Sequence, residues 1–395
     1  MKFSELPPHI LEKLKYWKKT IEATKDFTGT SPPSVFVGSY EYPKVFVGVL
    51  SPPVQRPSTA ILDSPEQWFK NKTTIEQILA LRGELIYSRF KSDVNSSKGK
   101  LIDVVQEVAM AKKSTDVEVN LKKNPRFVFN YNTHTTPVGS PATLLAARIT
   151  ENLKVERKVE YMISDVDLLA ENAVVALYKS GIPISRIEKI FSSGLLGVQM
   201  QRKFVPTRWG ITAVDDIVGK YLREKVKEYP EIDEIRLFHS EYIGNHYEVL
   251  LLPGAYQFEL VEFWGKVFGM PNFSADYEPF QGRKTYANHT HGAFYAGRLA
   301  VMEYLEKIRK QAIVLIVREV RSEYSIPVGI WQLRESVRDA VNNPCETFST
   351  PQDAVKKIAE RIYVKDKWVA HSKIMADRKE QKKITQFSNS QITKK

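Results

Sequence analysis

Residues 235–261 read IRLFHSEYIGNHYEVLLLPGAYQFELV, and this stretch decides the fold class. Aliphatic and aromatic residues fill its runs, which are broken at Gly244-Asn245 and Pro253-Gly254, pairs that reverse a chain. Two or three elements therefore follow one another across two breaks. Downstream, Gly292 to Arg309 has helical spacing, Ala312 to Val320 reads as a buried strand, and another helix starts near Ile330. Strands and helices do not alternate in a strict βαβ rhythm. The class is α+β, a mixed sheet with packed helices, in one large domain or two closely associated domains.

Upstream, Leu11, Leu14, Trp17 and Ile21 lie at helical spacing, which predicts an amphipathic helix over Leu11–Thr24 within an N-terminal segment, 1–27. Then comes a mirrored echo. Ser31-Pro32-Pro33 and Val35-Phe36-Val37-Gly38 recur in reverse order as Val45-Phe46-Val47-Gly48 and Ser51-Pro52-Pro53. Equal β-rich runs about a short polar link predict two paired strands, closed by prolines at both outer ends. Glycines there admit a phosphate contact in principle, but bends and turns are their commoner use. The polar run Asp93–Lys100 is a loop and a candidate internal boundary. A helix over Leu101–Ala111, an alternating strand over Asp116–Leu121, a helix over Asp165–Tyr178 and a shorter one after Gly181-Ile182-Pro183 follow. The last pair has a helix-turn-helix outline, which ordinary helical hairpins share. The globular body is placed at 28–345, a C-terminal helix (Asp353–Tyr363) and connector at 346–372, and a disordered basic tail at 373–395.

Net charge is +12, and the stretch from His371 alone carries seven bases against two acids. The body is thus only mildly basic, compatible with nucleic acid or with a solvated lysine surface. Cys345 is the only cysteine, so neither an internal disulfide nor a cysteine-rich zinc module is expected. No apolar run approaches a membrane span and the N-terminus lacks a signal-peptide core; a cytoplasmic setting and no membrane partner are expected.

The tail carries Gln381, Ile384 and Phe387 as Q-x-x-I-x-x-F. Residues three apart eclipse one another in a 3₁₀ turn, so a short peptide can fold on contact and point all three side chains into one pocket. This is the pattern of a PIP box, the peptide that docks on the sliding clamp PCNA. An internal copy, Gln257, Leu260, Phe263 and Trp264, fits the pattern better, because the tail has Ser388 where a second aromatic is usual. The internal copy sits in dense apolar sequence and reads as core. In the tail no local core competes for Ile384 and Phe387.

Polar candidates for chemistry concentrate between Gln201 and Glu335: Arg208, Asp216, His239, Tyr256, Glu259 and His291 lead them. Such side chains can hold a divalent metal, activate water and neutralise a phosphate. Each has an ordinary reading too. Arg208 can stack on Trp209 at a surface. Asp215-Asp216 point about 100° apart on a helix, so capping a helix that begins near Thr212 is favoured over ion binding. His289-x-His291 on a strand would project both rings to one side. No Walker A, G-x-G-x-x-G, G-x-S-x-G or HExxH motif is present.

Five stretches, SPPSVFVGSYEYPKVFVGVLSPP (31–53), SRIEKIFSSGLLG (185–197), QRKFVPTRWGITAVDD (201–216), LLLPGAYQFELVEFW (250–264) and PVGIWQLRE (327–335), resemble the archaeal NreA DNA-repair family. The likeness runs from about residue 28 to 345. It implies a role in DNA damage repair and a C-terminal PIP box, which falls here on Gln381, Ile384 and Phe387. The partners it implies are PCNA, DNA and other repair proteins, at the nucleoid. Many members open with a cysteine-rich zinc finger; this chain has none, so zinc is not implied. The family brings no agreed catalytic residues, and three readings stay open: a clamp-tethered repair factor, a metal-assisted enzyme acting on nucleic acid or a nucleotide, and a non-catalytic scaffold. A divalent metal belongs to the second alone.

Overall fold

The computed structural model describes residues 12, 25–96, 98–126, 135–264 and 272–380. Of the helix expected over 11–24 only residue 12 is among them, and the tail residues Gln381, Ile384 and Phe387 lie outside them. The chain divides into two compact units, Met1–Arg223 with Tyr324–Glu335, and Glu224–Glu323 with Ser336–Lys395.

The first unit holds strands β1 (Asp26–Ser31), β2 (Val35–Val37), β3 (Lys44–Ser51), β4 (Ile86–Asp93), β5 (Thr115–Leu121) and β6 (Ser140–Ile149) in the order β1-β5-β6-β4-β3-β2. Only the β4–β6 pairing is parallel. Its helices are α1 (Pro65–Lys70), α2 (Ile75–Gly83), α3 (Lys100–Met110), α4 (Arg157–Ser164), α5 (Ala170–Lys179), α6 (Ile184–Ser192) and α7 (Thr207–Val226), the last running past the division at Arg223. Local rules explain much of this. Thr74 and Gln77 form a capping box that starts α2, and β5 buries every second residue. The helix expected over Asp165–Tyr178 begins only at Ala170. Asp165 Oδ1 accepts the N–H groups of Asp167 and Leu168, at 3.2 and 3.1 Å, and holds residues 165–169 in a turn.

The mirrored echo forms β2 and β3, and its register gives it meaning. Phe36 lies opposite Gly48, and the N–H of Gly38 donates to the Phe46 carbonyl at 2.8 Å, one step further along. Each phenylalanine therefore faces a glycine. Gly48 also lets β4 approach: a Cβ there would stand 2.1 Å from the Ser88 carbonyl oxygen.

The second unit holds β7 (Ile235–Tyr242), β8 (Asn245–Leu252), β9 (Gln257–Trp264), β10 (Asn272–Glu278), β11 (Ile313–Val320) and β12 (Glu346–Phe348) in the order β10-β9-β11-β8-β7-β12. β11 inserts between β8 and β9, parallel to β9 alone, and all of its residues are buried. The internal Q-x-x-L-x-x-F-W copy is β9, with Phe258, Leu260, Val261 and Phe263 wholly inaccessible. It is core, as its apolar density predicts.

Helix α8 (Gly292–Ile308) covers one face of this sheet, where Phe294 meets Phe258 edge-on at 4.9 Å. Helix α9 (Trp331–Asn342) starts in the first unit and passes into the second after Glu335. Helices α10 (Pro351–Arg361) and α11 (Lys373–Glu380) cover the other face, burying Ile358, Ile374 and Met375 with Leu250, Leu252 and Phe263. Order thus continues through residues 373–380, which the polar composition assigned to the tail. Two large apolar side chains, Ile374 and Met375, suffice to dock a mostly charged octapeptide. No helix among the described residues is long and apolar enough to cross a membrane.

Candidate functional site

Alternation along the first sheet sets Phe36, Phe46, Tyr87 and Arg89 on one face, since Arg89 and Phe36 both lie opposite Gly48 and Tyr87 lies opposite Leu50. These side chains line a cavity of about 210 Å³. Its walls are held in place. The Tyr87 hydroxyl shares its one proton between the carbonyls of Phe36 and Phe46, at 3.1 and 2.9 Å, and the Phe36 and Tyr87 rings meet edge-on at 5.4 Å. Burial pushes the Tyr87 pKa far up, so the ring stays neutral.

Two cations reach this cavity. The Arg89 guanidinium lies 3.9 Å over the Phe46 ring, half-buried, its pKa pressed down by burial. Arg208, in the first turn of α7, lines it too. Among the described residues no carboxylate pairs with either. Tyr40, which lines the cavity, is 79% exposed, and the rings of Tyr42 and of Trp209, next in sequence to Arg208, are both exposed and stand 5.1 Å apart.

A second cavity of about 70 Å³ shares Phe36 and Thr135 with the first and is lined by charge. Helix α6 turns Ser185, Glu188 and Lys189 toward it, at helical i, i+3 and i+4 spacing. Asp63 binds Arg82 at 2.9 Å and Lys189 at 2.8 Å, and accepts the Ser34 hydroxyl. Burial opposes ionisation of Asp63, but the two cations outweigh it and hold the pKa near 2. Arg334 Nη1 binds Glu188 at 3.0 Å and also Asp215. Burial, against which Arg334 acts only in part, pushes the Glu188 pKa up to about 8. A carboxylic acid that keeps its proton at neutral pH is a proton donor.

The six sequence candidates do not gather in this place. Arg208 alone lines a cavity. Asp216 pairs with Lys220 along α7 at 2.7 Å. His239 is exposed on β7, its ring 6.4 Å from that of His246. The Tyr256 hydroxyl donates to Glu278 at 2.7 Å. Glu259 accepts from the Ser372 hydroxyl and from the N–H groups of Lys373 and Ile374, holding the start of α11. His291 sits at the start of α8 with φ +50°, its ring 6.1 Å from Tyr286. It stands in a turn, and the strand geometry expected for His289 and His291 is absent; His289 contacts Asp276 at 3.4 Å. Among the described residues no three or more His, Cys, Asp or Glu are placed to hold a metal ion.

Two local expectations are corrected. Asp215 caps no helix: α7 begins eight residues earlier, at Thr207, and Asp215 is wholly buried against Arg334. The exposed ring of Trp209 has Tyr42 as its aromatic neighbour, while Arg208 turns to the cavity. Asp63, Arg82, Tyr87, Arg89, Glu188 and Lys189 escaped the sequence reading. One signal was available, Glu188-Lys189 set between the apolar Ile187 and Ile190.

The first unit thus carries an aromatic, arginine-lined cavity beside a charged one that holds a buried acid. Residues 7–268 match the family described as Archaeal Nre, N-terminal, and 278–387 match Archaeal Nre, C-terminal. The chain belongs to the archaeal Nre family. It is 36% identical over 361 residues to a "DNA repair protein NreA" of Haloferax volcanii, covering 88% of this chain and 86% of that one. It is 37% identical over 364 residues to the NreA of Archaeoglobus fulgidus, 90% of each chain, and 36% identical over 346 residues to the "DNA repair protein NreB" of that organism, 85% of each. No solved structure matches the chain. Of the five stretches that carry the resemblance, four contribute to the walls of the two cavities, through Phe36, Glu188, Arg208 and Arg334 among others.

Proposed function

We propose that this protein is a DNA repair factor whose first unit meets DNA at the joined cavities and whose C-terminal Gln381, Ile384 and Phe387 hold it to PCNA. The observation that carries the DNA contact is the pair of guanidiniums, Arg89 and Arg208, which have no carboxylate partners among the described residues and line an aromatic cavity. A half-buried cation is costly unless an anion completes it, and a phosphate does so with good geometry. The names of the relatives support the repair role. Tethering suits a mildly basic body, because it raises local concentration without a tight contact. The missing aromatic at Ser388 sets the expected clamp affinity in the micromolar range, about 8 kcal/mol.

The test is calorimetric titration of PCNA with the full chain and with a chain ending at Glu380, beside DNA-binding isotherms across salt concentration for wild type and the Arg89→Ala/Arg208→Ala double variant. Clamp binding that vanishes with the tail, and a shallower salt slope in the double variant, are expected. Clamp binding that survives removal of the tail removes the tethering half; an unchanged slope removes the DNA half.

A second reading, an enzyme acting on nucleic acid or a nucleotide, is favoured by Glu188, a buried acid beside the cavity. Glu188→Gln keeps the shape and removes the proton; loss of any turnover with DNA binding intact would select this reading.

A further inference from the structure

We infer that the larger cavity of the first unit takes a single unstacked nucleobase together with its phosphate. This rests on the DNA-contact reading above and makes it specific. A cavity of about 150 Å³ lined by apolar side chains accepts benzene; at about 210 Å³ this one has room for a heterocyclic ring. Its walls are fixed, Phe36 and Tyr87 by their edge-on contact and Phe46 by the Arg89 guanidinium that covers one of its faces. A guanidinium plane, like an aromatic wall, stacks a base with little preference for sequence.

The ligand must also be anionic. Arg89 stands over Phe46 without a carboxylate among the described residues, and Arg208 lines the same space from α7. Two guanidiniums beside aromatic walls suit a ring that carries a phosphate, and a purely apolar ligand would leave both charges unanswered. A base still stacked in a duplex cannot enter; it must leave the stack, at a cost that is least when it has no pairing partner. The exposed Tyr42–Trp209 pair, close in sequence to the lining residues Tyr40 and Arg208, offers a face to a neighbouring base of the same strand.

The source of the nucleotide, a DNA strand or a free mononucleotide, is separated by experiment. Fluorescence anisotropy would compare the full chain binding a fully paired duplex, the same duplex with one central unpaired adenine, and each complex challenged with dAMP. The unpaired-base duplex should bind about ten-fold tighter than the paired one, the range that stacking one base supplies. Gly38→Leu should abolish that ratio. Gly38 faces Phe46 across the ladder, and a Cβ there meets the Phe46 carbonyl at an ordinary 3.4 Å, so the leucine fills space without moving backbone. Arg208→Ala should reduce the ratio by removing a phosphate contact, and provides a second variant should Gly38→Leu melt early.

Equal binding of the two duplexes, with dAMP displaced by Gly38→Leu, supports the same cavity chemistry with a free nucleotide as its source. Equal binding with no dAMP binding overturns the inference, as does a ratio that persists in both variants. The DNA reading itself is judged separately: it survives if the paired duplex still binds, and it fails if no DNA binds while PCNA does.

Discussion

Glu259, in the middle of β9, accepts the backbone N–H of Ile374 in the first turn of α11 at 3.0 Å. Its other oxygen takes the N–H of Lys373 at 2.7 Å. A helix begins with donors that have no partner inside it, and a buried carboxylate aimed at them satisfies two at once. A residue with the sequence profile of a catalytic acid is thus the clasp that docks the final described helix. The Q-x-x-I-x-x-F stretch starts at Gln381, the residue after Glu380.

That clasp predicts where the chain can be cut. Ending it at Glu380 should leave the melting temperature unchanged, whereas ending it at Ser372 exposes the pocket of Ile374 and Met375 and should destabilise by several kcal/mol. Glu259→Ala should cost about 1–3 kcal/mol by orphaning the helix donors. Thermal unfolding of the three proteins checks the order.

Two phenylalanines in similar motifs should behave oppositely. Phe387→Ala is expected to abolish co-purification with PCNA and leave stability alone, while Phe263→Ala, wholly buried in the second sheet, should cost about 3–5 kcal/mol. Chemical denaturation and pull-down on the same preparations separate the two. Association with PCNA that persists in Phe387→Ala would remove the tail's role.

Arg334 is the hub of the buried charges, binding Glu188 and Asp215 through one nitrogen. Arg334→Ala takes its cation from the buried Asp215 carboxylate and a hydrogen bond from the Glu188 carboxyl, and a loss of about 3–5 kcal/mol is expected. The double variant Arg334→Met/Asp215→Asn should recover part of it, because the Asp215 charge is removed together with its cation while Glu188 keeps its proton. Urea unfolding midpoints read both.

Stability should depend on pH through this network in two opposite ways. Glu188 keeps its proton in the folded protein up to about pH 8, while in an unfolded chain it ionises in the ordinary carboxylate range. The folded state therefore binds the extra proton between those limits, and the contribution falls as pH rises through them. Glu188→Gln should flatten the decline in melting temperature between pH 5 and pH 8. Asp63 has the reverse sign: its pKa is held near 2, so its contribution is complete above the usual carboxylate pKa and is lost as pH falls toward about 2. Asp63→Asn should remove that acid limb.

The mirrored glycines are unequal despite their matching sequence. Gly48→Ala places a methyl 2.1 Å from the Ser88 carbonyl oxygen, whereas Gly38→Ala meets nothing closer than 3.4 Å. The first should cost more than the roughly 1–3 kcal/mol usual for overpacking and the second almost nothing. Paired melting curves are sufficient to show it.

By itself the sequence determined the α+β class, the two chain breaks at Gly244-Asn245 and Pro253-Gly254, the pairing of β2 with β3 and the core identity of Gln257–Trp264. These rest on period-two alternation, turn residues and apolar density, all of which act within a dozen positions. Tertiary structure alone decided which charges meet. Arg334 and Asp215 are 119 residues apart, Lys189 and Asp63 are 126 apart, and no periodicity links them. Burial then decided their state: the same carboxyl group is an ion at Asp63, between two cations, and an acid at Glu188, where desolvation prevails. It also decided that Glu259 holds a helix and that Arg89, one residue in an unremarkable strand, faces an aromatic cavity. Local sequence dictates the elements because their rules are short-range; the site is dictated by which surfaces pack, and electrostatics there depends on the whole surrounding shell.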